Sequence, residues 1–285
     1  MPELPEVETI KNDLSQKILD KTITAAEART PRLVKSGAKK FKEVLTGNQF
    51  KKINRRGKLI YMELKSGDFL LIHLKMTGQL IYQQGEKIIG GGHGELAEEK
   101  LPGRHTHVIL SFRDGSHLYF NDLRQFGYMR IVSQIELEKE LKKFGIEPLT
   151  AGFTLQNFVK IFADKKTTVK ALLLNQKLIA GIGNIYADES CFWAKIKPTR
   201  KIASLTESEI KCLYSSIKKV LKLAIKKRGT TFNNYRDADG QKGGFIKFLK
   251  VYARKGERCK RCRRGIIIKI KQGGRGTHFC PICQR

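Results

Sequence analysis

The sequence predicts an α+β protein of several units: a mostly antiparallel β half, a helical half and a metal-bound tail. Three observations carry this reading. Short apolar runs broken by turn residues fill positions 50 to 133, apolar residues at helical spacing follow from about 134, and two Cys-x2-Cys pairs close the chain. The expected division is 1–133, a linker 134–150, a helical unit 151–248 and a tail 249–285.

The elements follow in order. Pro5 suits a first helical turn, and Val7, Ile10, Leu14 and Ile18 recur at helical spacing behind it. Strands are expected over Lys58 to Leu64, Phe69 to Met76 and His107 to Phe112. The last runs through Arg113-Asp-Gly-Ser116 into His117 to Phe120, an Asp-Gly hairpin. Such short strands fit an antiparallel sandwich or barrel. Gly90-Gly-Gly-His-Gly94 has no following Lys-Ser/Thr and no βαβ setting, so it reads as a flexible surface loop rather than a phosphate cradle.

Residues 136 to 143 are charged and helical, and Glu147-Pro148-Leu149 punctuates the change of pattern. Thr206-Glu-Ser-Glu209 is a capping box. It opens a helix with an apolar face of Ile210, Leu213, Ile217, Val220, Leu221 and Ala224, ending near Gly229.

Lys+Arg 56 against Asp+Glu 27 leaves a net charge of +29 over 285 residues, which implies a polyanionic partner. Nucleic acid is the first candidate and an anionic membrane surface the second. The apolar runs, such as Phe69 to Ile72, fall far short of the roughly 20 residues of a spanning helix. The N-terminus is Pro-rich and acidic, unlike a secretory signal, so a cytoplasmic protein is expected.

Cys259-x2-Cys262 and Cys280-x2-Cys283 stand 17 residues apart. Two such knuckles present four thiolates in a tetrahedron, as structural zinc requires, and leave no coordination position open. A redox reading would need one Cys-x-x-Cys beside a βαβ unit, which is absent. Ile266 to Lys271, between the pairs, reads as a ribbon strand, and glycines around Arg275 suit a tight tip that carries this residue forward. Cys191 and Cys212 read as buried small hydrophobes in helices.

At the N-terminus, acidic residues in a first helical turn are ordinary dipole partners. Removal of Met1, however, would expose the secondary amine of Pro2, which can attack a sugar carbon and form an iminium. An α-amino group titrates near about 8 and a helix N-terminus lowers it further, so much of it would be the free base at neutral pH.

Pro2-Glu-Leu-Pro-Glu-Val-Glu-Thr9, Gly181-Ile-Gly-Asn-Ile-Tyr-Ala-Asp-Glu189 and the four-cysteine ribbon closely resemble formamidopyrimidine-DNA glycosylase over the whole chain. Leu4 stands where the related endonuclease VIII branch usually has glycine, which argues for the purine-acting branch. The resemblance implies an N-terminal β-sandwich, a helix-two-turn-helix domain and a zinc finger, with damaged duplex DNA as partner and a monomeric enzyme. It implies base excision of oxidised purines followed by β,δ-elimination, in the bacterial cytoplasm where the DNA lies.

Residue by residue, the resemblance makes Pro2 the nucleophile, Glu3 the general acid/base and Glu6 a supporting carboxylate. Lys58 matches a phosphate-contacting and proton-transferring lysine, and Arg275 the zinc-finger arginine on the phosphates flanking the flipped nucleotide. Met76, Arg124 and Phe126 match residues that fill the hole left by an extracted base, whose removal costs a few kcal/mol. His73, His105, Lys165 and Asn184 fall among further DNA contacts, and Thr230 to Gly240 matches the lesion-recognition loop. Gln125, Lys75 and the long 84–104 stretch depart from the family pattern. Two other readings stay open: a non-catalytic nucleic-acid binder with the same fold, and an endonuclease VIII-like enzyme for oxidised pyrimidines.

Overall fold

The computed structural model describes residues 1–92, 101–163, 165–230 and 244–285, with backbone alone over 87–92. The chain divides into two compact units, Met1–Lys142 with Lys227–Ile246, and Lys143–Lys226 with Lys247–Arg285.

The first unit opens with helix α1 (Leu4–Lys17), its Pro5 in the first turn where a missing N–H costs nothing. The strands are β1 (Ile23–Ala28), β2 (Phe50–Arg56), β3 (Leu59–Leu64), β4 (Phe69–His73), β5 (Gly78–Gln84), β6 (Lys87–Gly92), β7 (Thr106–Phe112), β8 (His117–Asp122) and β9 (Tyr128–Val132). Helix α2 (Ala38–Leu45) lies between β1 and β2, and α3 (Gln134–Leu141) follows β9. The strands make two open antiparallel sheets, ordered β1-β7-β8-β5-β6 and β2-β3-β4-β9.

Both sheets turn apolar faces onto one core. Leu80, Val108, Leu118 and Phe120 from the first meet Ile60, Met62, Leu70 and Ile72 from the second, with Val7, Ile10 and Leu14 of α1 and Phe41 of α2. Each such side chain, fully buried, contributes about 1.5–3 kcal/mol before the entropy of ordering is counted. Two sheets with ends, rather than one closed sheet, make this a sandwich and not a barrel.

Two sequence expectations need correction in this unit. The strand expected over Phe69 to Met76 stops at His73, because Lys75 takes φ +49° and turns the chain. The Gly-rich stretch is not all loop: Gly90, Gly91 and Gly92 pair with Ile81, Leu80 and Gln79 as the end of β6. The interior strand β5 supplies the pairing that glycine's low strand preference hides, with β6 at the sheet edge. Residues 93 and 94 lie outside the described residues.

In the second unit, α4 (Leu155–Phe162), α5 (Val169–Leu174), α6 (Asn184–Trp193) and α7 (Glu207–Lys226) precede a hairpin of β10 (Ile268–Gln272) and β11 (Arg275–Phe279). Thr154 and Thr168 cap α4 and α5 through their hydroxyls. The Thr206 capping box forms as expected: Thr206 Oγ1 accepts the Glu209 N–H at 3.2 Å and Glu209 accepts the Thr206 N–H at 2.9 Å. All six residues of the expected apolar face of α7 are buried. Cys191 is buried as expected, but Cys212 is exposed, because it lies off the buried stripe of α7 that Leu213 and Ile217 share. No helix among the described residues is long and apolar enough to cross a membrane.

Candidate active site, wedge loop and zinc centre

Pro2 is buried just ahead of α1, whose N-cap is Glu3. Glu3 is 2% exposed, Glu6 0% and Lys58 7%. Glu6 Oε2 accepts the Glu3 N–H at 2.9 Å and Glu6 Oε1 the Thr230 N–H at 2.7 Å. The terminal amine, carried here by Met1, is pulled below its ordinary value chiefly by burial; Glu3 and Glu6 oppose this, and Lys58 and Arg124 add to it. Glu3, Glu6, Lys58 and Arg124 therefore all act on one point in space. While Met1 is attached, the Pro2 nitrogen is an amide without a basic lone pair; its removal makes that nitrogen a secondary amine.

Lys58 reaches this point from the β2–β3 hairpin. Arg56 pairs with Leu59, so Gly57-Lys58 is a two-residue turn, and Gly57 takes the positive φ, +59°, that such turns demand. Arg55 bonds Glu8 of α1 at 2.8 Å and the Gly57 carbonyl at 2.9 Å, which ties the turn to the helix that bears the acids.

Met76, Arg124 and Phe126 stand together on two adjacent connections, β4–β5 and β8–β9. Met76 is 41% exposed and Phe126 53%, so neither is a core residue. Arg124 Nη1 lies 3.1 Å from Met76 Sδ, and its guanidinium sits 4.7 Å from the Phe126 ring centre. The buried carboxylate of Asp122 organises the cluster. It accepts from Gly127 N–H at 2.7 Å, from Arg124 N–H at 3.2 Å and from the Thr77 hydroxyl. Gly127 cannot be larger, because a Cβ there would stand 2.7 Å from the Phe120 ring. Asp122→Ala should destabilise the protein by about 2–4 kcal/mol, since buried donors lose their acceptor; urea unfolding measures this, and a loss below 1 kcal/mol would contradict the reading.

His73 and His105 flank this cluster. Burial first, then the charges of Lys75 and Lys58, push His73 down to about 3, so its ring is neutral near pH 7. Nδ1 accepts the Lys75 N–H at 3.0 Å, which leaves Nε2 as the N–H donor. His105 is half-buried, and its carbonyl accepts the Asp122 N–H at 3.0 Å.

In the second unit, Asn184 begins α6 after Gly183, and its Nδ2 donates to the Gly276 carbonyl at 3.0 Å. Lys170 reaches the same carbonyl at 2.8 Å and pairs with Asp188 at 2.6 Å, both fully buried. Asp188 also accepts the His278 N–H at 2.8 Å. Gly276 directly follows Arg275, so these bonds hold the strand that presents Arg275. Gly273 and Gly274, at φ +54° and +76°, make the turn, and Arg275 begins β11 exposed to solvent. Lys165 is exposed between α4 and α5, ahead of the Thr168 cap.

The thiolates of Cys259, Cys262, Cys280 and Cys283 all lie within 4.8 Å of one another. Cys259 and Cys283 are 3.6 Å apart and Cys262 and Cys280 3.7 Å. Zinc–sulfur bonds of about 2.3 Å in a tetrahedron need sulfurs about 3.8 Å apart, so the residues fit one zinc ion. Arg261 and Gly265 N–H groups donate to Cys259 and Cys262 at 3.4 Å, easing thiolate charge. Glu189 of α6 anchors the start of this tail by accepting the N–H groups of Lys250, Val251 and Tyr252 at 2.9–3.0 Å.

Three family models match the chain in this order. The formamidopyrimidine-DNA glycosylase N-terminal domain covers residues 1–129, the H2TH domain of the same enzyme 144–235, and the zinc finger found in FPG and IleRS 256–285. The chain belongs to the formamidopyrimidine-DNA glycosylase family. A formamidopyrimidine-DNA glycosylase of Desulfitobacterium hafniense is 42% identical over the full length of both chains. One from Pelotomaculum thermopropionicum is 40% identical, over 100% of this chain and 99% of that one. Among solved structures, a Lactococcus lactis FPG mutant with Fapy-dG-containing DNA superposes with TM-score 0.88 at 36% identity, covering all of both chains. The Lactococcus lactis protein with abasic-site DNA gives TM-score 0.88 over 99% of each chain.

Against this family fold, the first unit brings Pro2, Glu3, Glu6, Lys58 and Arg124 together, with Met76, Phe126, His73 and His105 on the neighbouring connections. Asn184, Arg275, Lys165 and the four cysteines belong to the second unit. The 231–243 stretch, which holds the expected recognition loop after Thr230, lies outside the described residues. Sequence reasoning missed Asp122, Lys170, Asp188 and Glu189. Asp122 had a usable signal, an acid before a loop closed by Gly127. Lys170 had none, because it sits in a basic run and only its distant partner Asp188 permits its burial.

Proposed function

We propose that this chain is a bifunctional DNA glycosylase and abasic-site lyase that excises oxidised purines, 8-oxoguanine and formamidopyrimidines, from duplex DNA in the bacterial cytoplasm, where Met1 is first removed. The carrying observation is that the buried side chains of Glu3, Glu6 and Lys58 act together on the terminal amine, whose pKa is lowered. The Pro2 amine attacks the sugar carbon that bears the base, and the carbon–nitrogen bond to the base breaks. Glu3 moves the protons and faces the cationic iminium that remains, which stabilises it electrostatically. Lys58 assists the following β- and δ-eliminations, which cut the strand on both sides of the lost base. Met76, Arg124 and Phe126 fill the gap in the duplex, Arg124 facing the orphaned partner base. His73 donates Nε2–H to a phosphate; His105, Lys165, Asn184 and Arg275 supply further phosphate contacts.

Borohydride reduction with a duplex containing 8-oxoguanine should trap a covalent adduct. Peptide mapping should place it on Pro2, and Pro2→Gly, whose primary amine lacks the ring constraint, should trap at least tenfold more slowly. An adduct on Lys58, or unchanged trapping by Pro2→Gly, would overturn the assignment. Faster excision of an oxidised pyrimidine than of 8-oxoguanine would overturn the purine preference.

A further inference from the structure

We infer that the ion pair of Asp13 and Arg228 is a clasp that positions Glu6 and, through it, the backbone of Glu3. The inference rests on the proposed chemical role of Glu3 and Glu6. Glu6 and Asp13 lie seven residues apart on one face of α1, and both are buried. The backbone that follows α7 runs along this face. Thr230 N–H donates to one oxygen of Glu6, and the other oxygen takes the Glu3 N–H. A single carboxylate thus joins positions 224 residues apart to the N-terminal turn.

Gly229 makes that approach possible. At φ +79° it packs so close that a Cβ would stand 2.8 Å from Glu6 Oε1. Arg228, directly before it, holds φ +59°, a left-handed backbone that glycine adopts freely and arginine does not. Such a conformation persists at a larger residue only where the surroundings over-determine it. Here Arg228 Nη2 lies 2.8 and 2.7 Å from the two oxygens of Asp13. The backbone alone would be better served by glycine, so the arginine is explained by its charge and its partner. The pair fixes where Gly229 and Thr230 cross α1, Thr230 fixes one oxygen of Glu6, and Glu6 fixes the turn that carries Glu3 and Pro2. Asp13 and Arg228 are accordingly positioning residues.

Arg228→Gly separates this role from a structural one, because it removes the clasp while relieving the backbone. Its melting temperature should stay within a few degrees of the native one, relief of the backbone offsetting the partner that Asp13 loses, yet it should excise 8-oxoguanine about tenfold more slowly under single turnover at saturating enzyme. Its Kd for a duplex holding a tetrahydrofuran abasic analogue should stay within twofold. Asp13→Asn should lose a similar factor, the double variant should be no slower than either single one, and Arg228→Lys should recover at least half the rate. Excision by Arg228→Gly within twofold of native would overturn the inference. So would a Kd rising as much as the rate falls, or a rate that falls only with a falling Tm. If the native protein run alongside neither excises nor traps, the proposed function itself fails and this inference with it.

Discussion

Glu3→Gln should lower single-turnover excision of 8-oxoguanine by about 10²–10⁴-fold, the range removed with a general acid/base. Glutamine keeps the volume of a side chain that is only 2% exposed, so packing against α1 changes little. What it loses is the ability to take and return a proton and to face a cation as an anion. Melting temperature should move by only a few degrees; a fall in excision below tenfold would remove Glu3 from the proton path. The same site predicts the direction of pH dependence. Only the unprotonated amine attacks, so the rate falls as pH drops through the amine pKa. Burial lowers the pKa of the terminal amine that Met1 carries here, and if the same surroundings act on the processed Pro2 amine the limb should lie below the value of about 8 of an ordinary α-amino group. A limb above 8 would show that the carboxylates, not burial, dominate at the processed terminus.

Cys262→Ala, or chelation of the native protein, should unfold the tail and weaken binding to lesion duplex more than 100-fold. Structural zinc contributes on the order of 10–16 kcal/mol to the folding of such modules, far more than a two-stranded hairpin can replace. The apolar cluster around the site is small: Phe192, Val251 and Ile267 with Cys259 and Cys280. Without the ion, the β10–β11 turn that presents Arg275 keeps only the bonds that Asn184, Lys170 and Asp188 make to β11. One zinc per chain should be released on chelation, and limited proteolysis should then cut within 249–285 first. A chelated protein with intact binding would show that the zinc is not what holds Arg275.

Much of this architecture is legible in the chain because it rests on local rules. Val7, Ile10 and Leu14 repeat at the helical period, Thr206 and Glu209 cap at the spacing one helical turn requires, and the Asp114-Gly115 hairpin closes where the dipeptide stands. Cysteine spacing is local too, since each knuckle needs only four residues. The strands' ends were less legible, as the positive φ of Lys75 and the edge pairing of Gly90 to Gly92 show.

What the sequence by itself determined is therefore the class of the protein: a cationic α+β chain with a zinc-binding tail and a terminus able to expose an amine. Only the tertiary structure decided which charges matter. Among the described basic residues, Lys170 and Arg228 are set in place by buried acids from elsewhere in the chain, Asp188 and Asp13. Periodicity and capping act over a few residues and leave a trace in the order of the chain. Burial of a charge depends on a partner brought from a distant position, and that distance is written only in the fold.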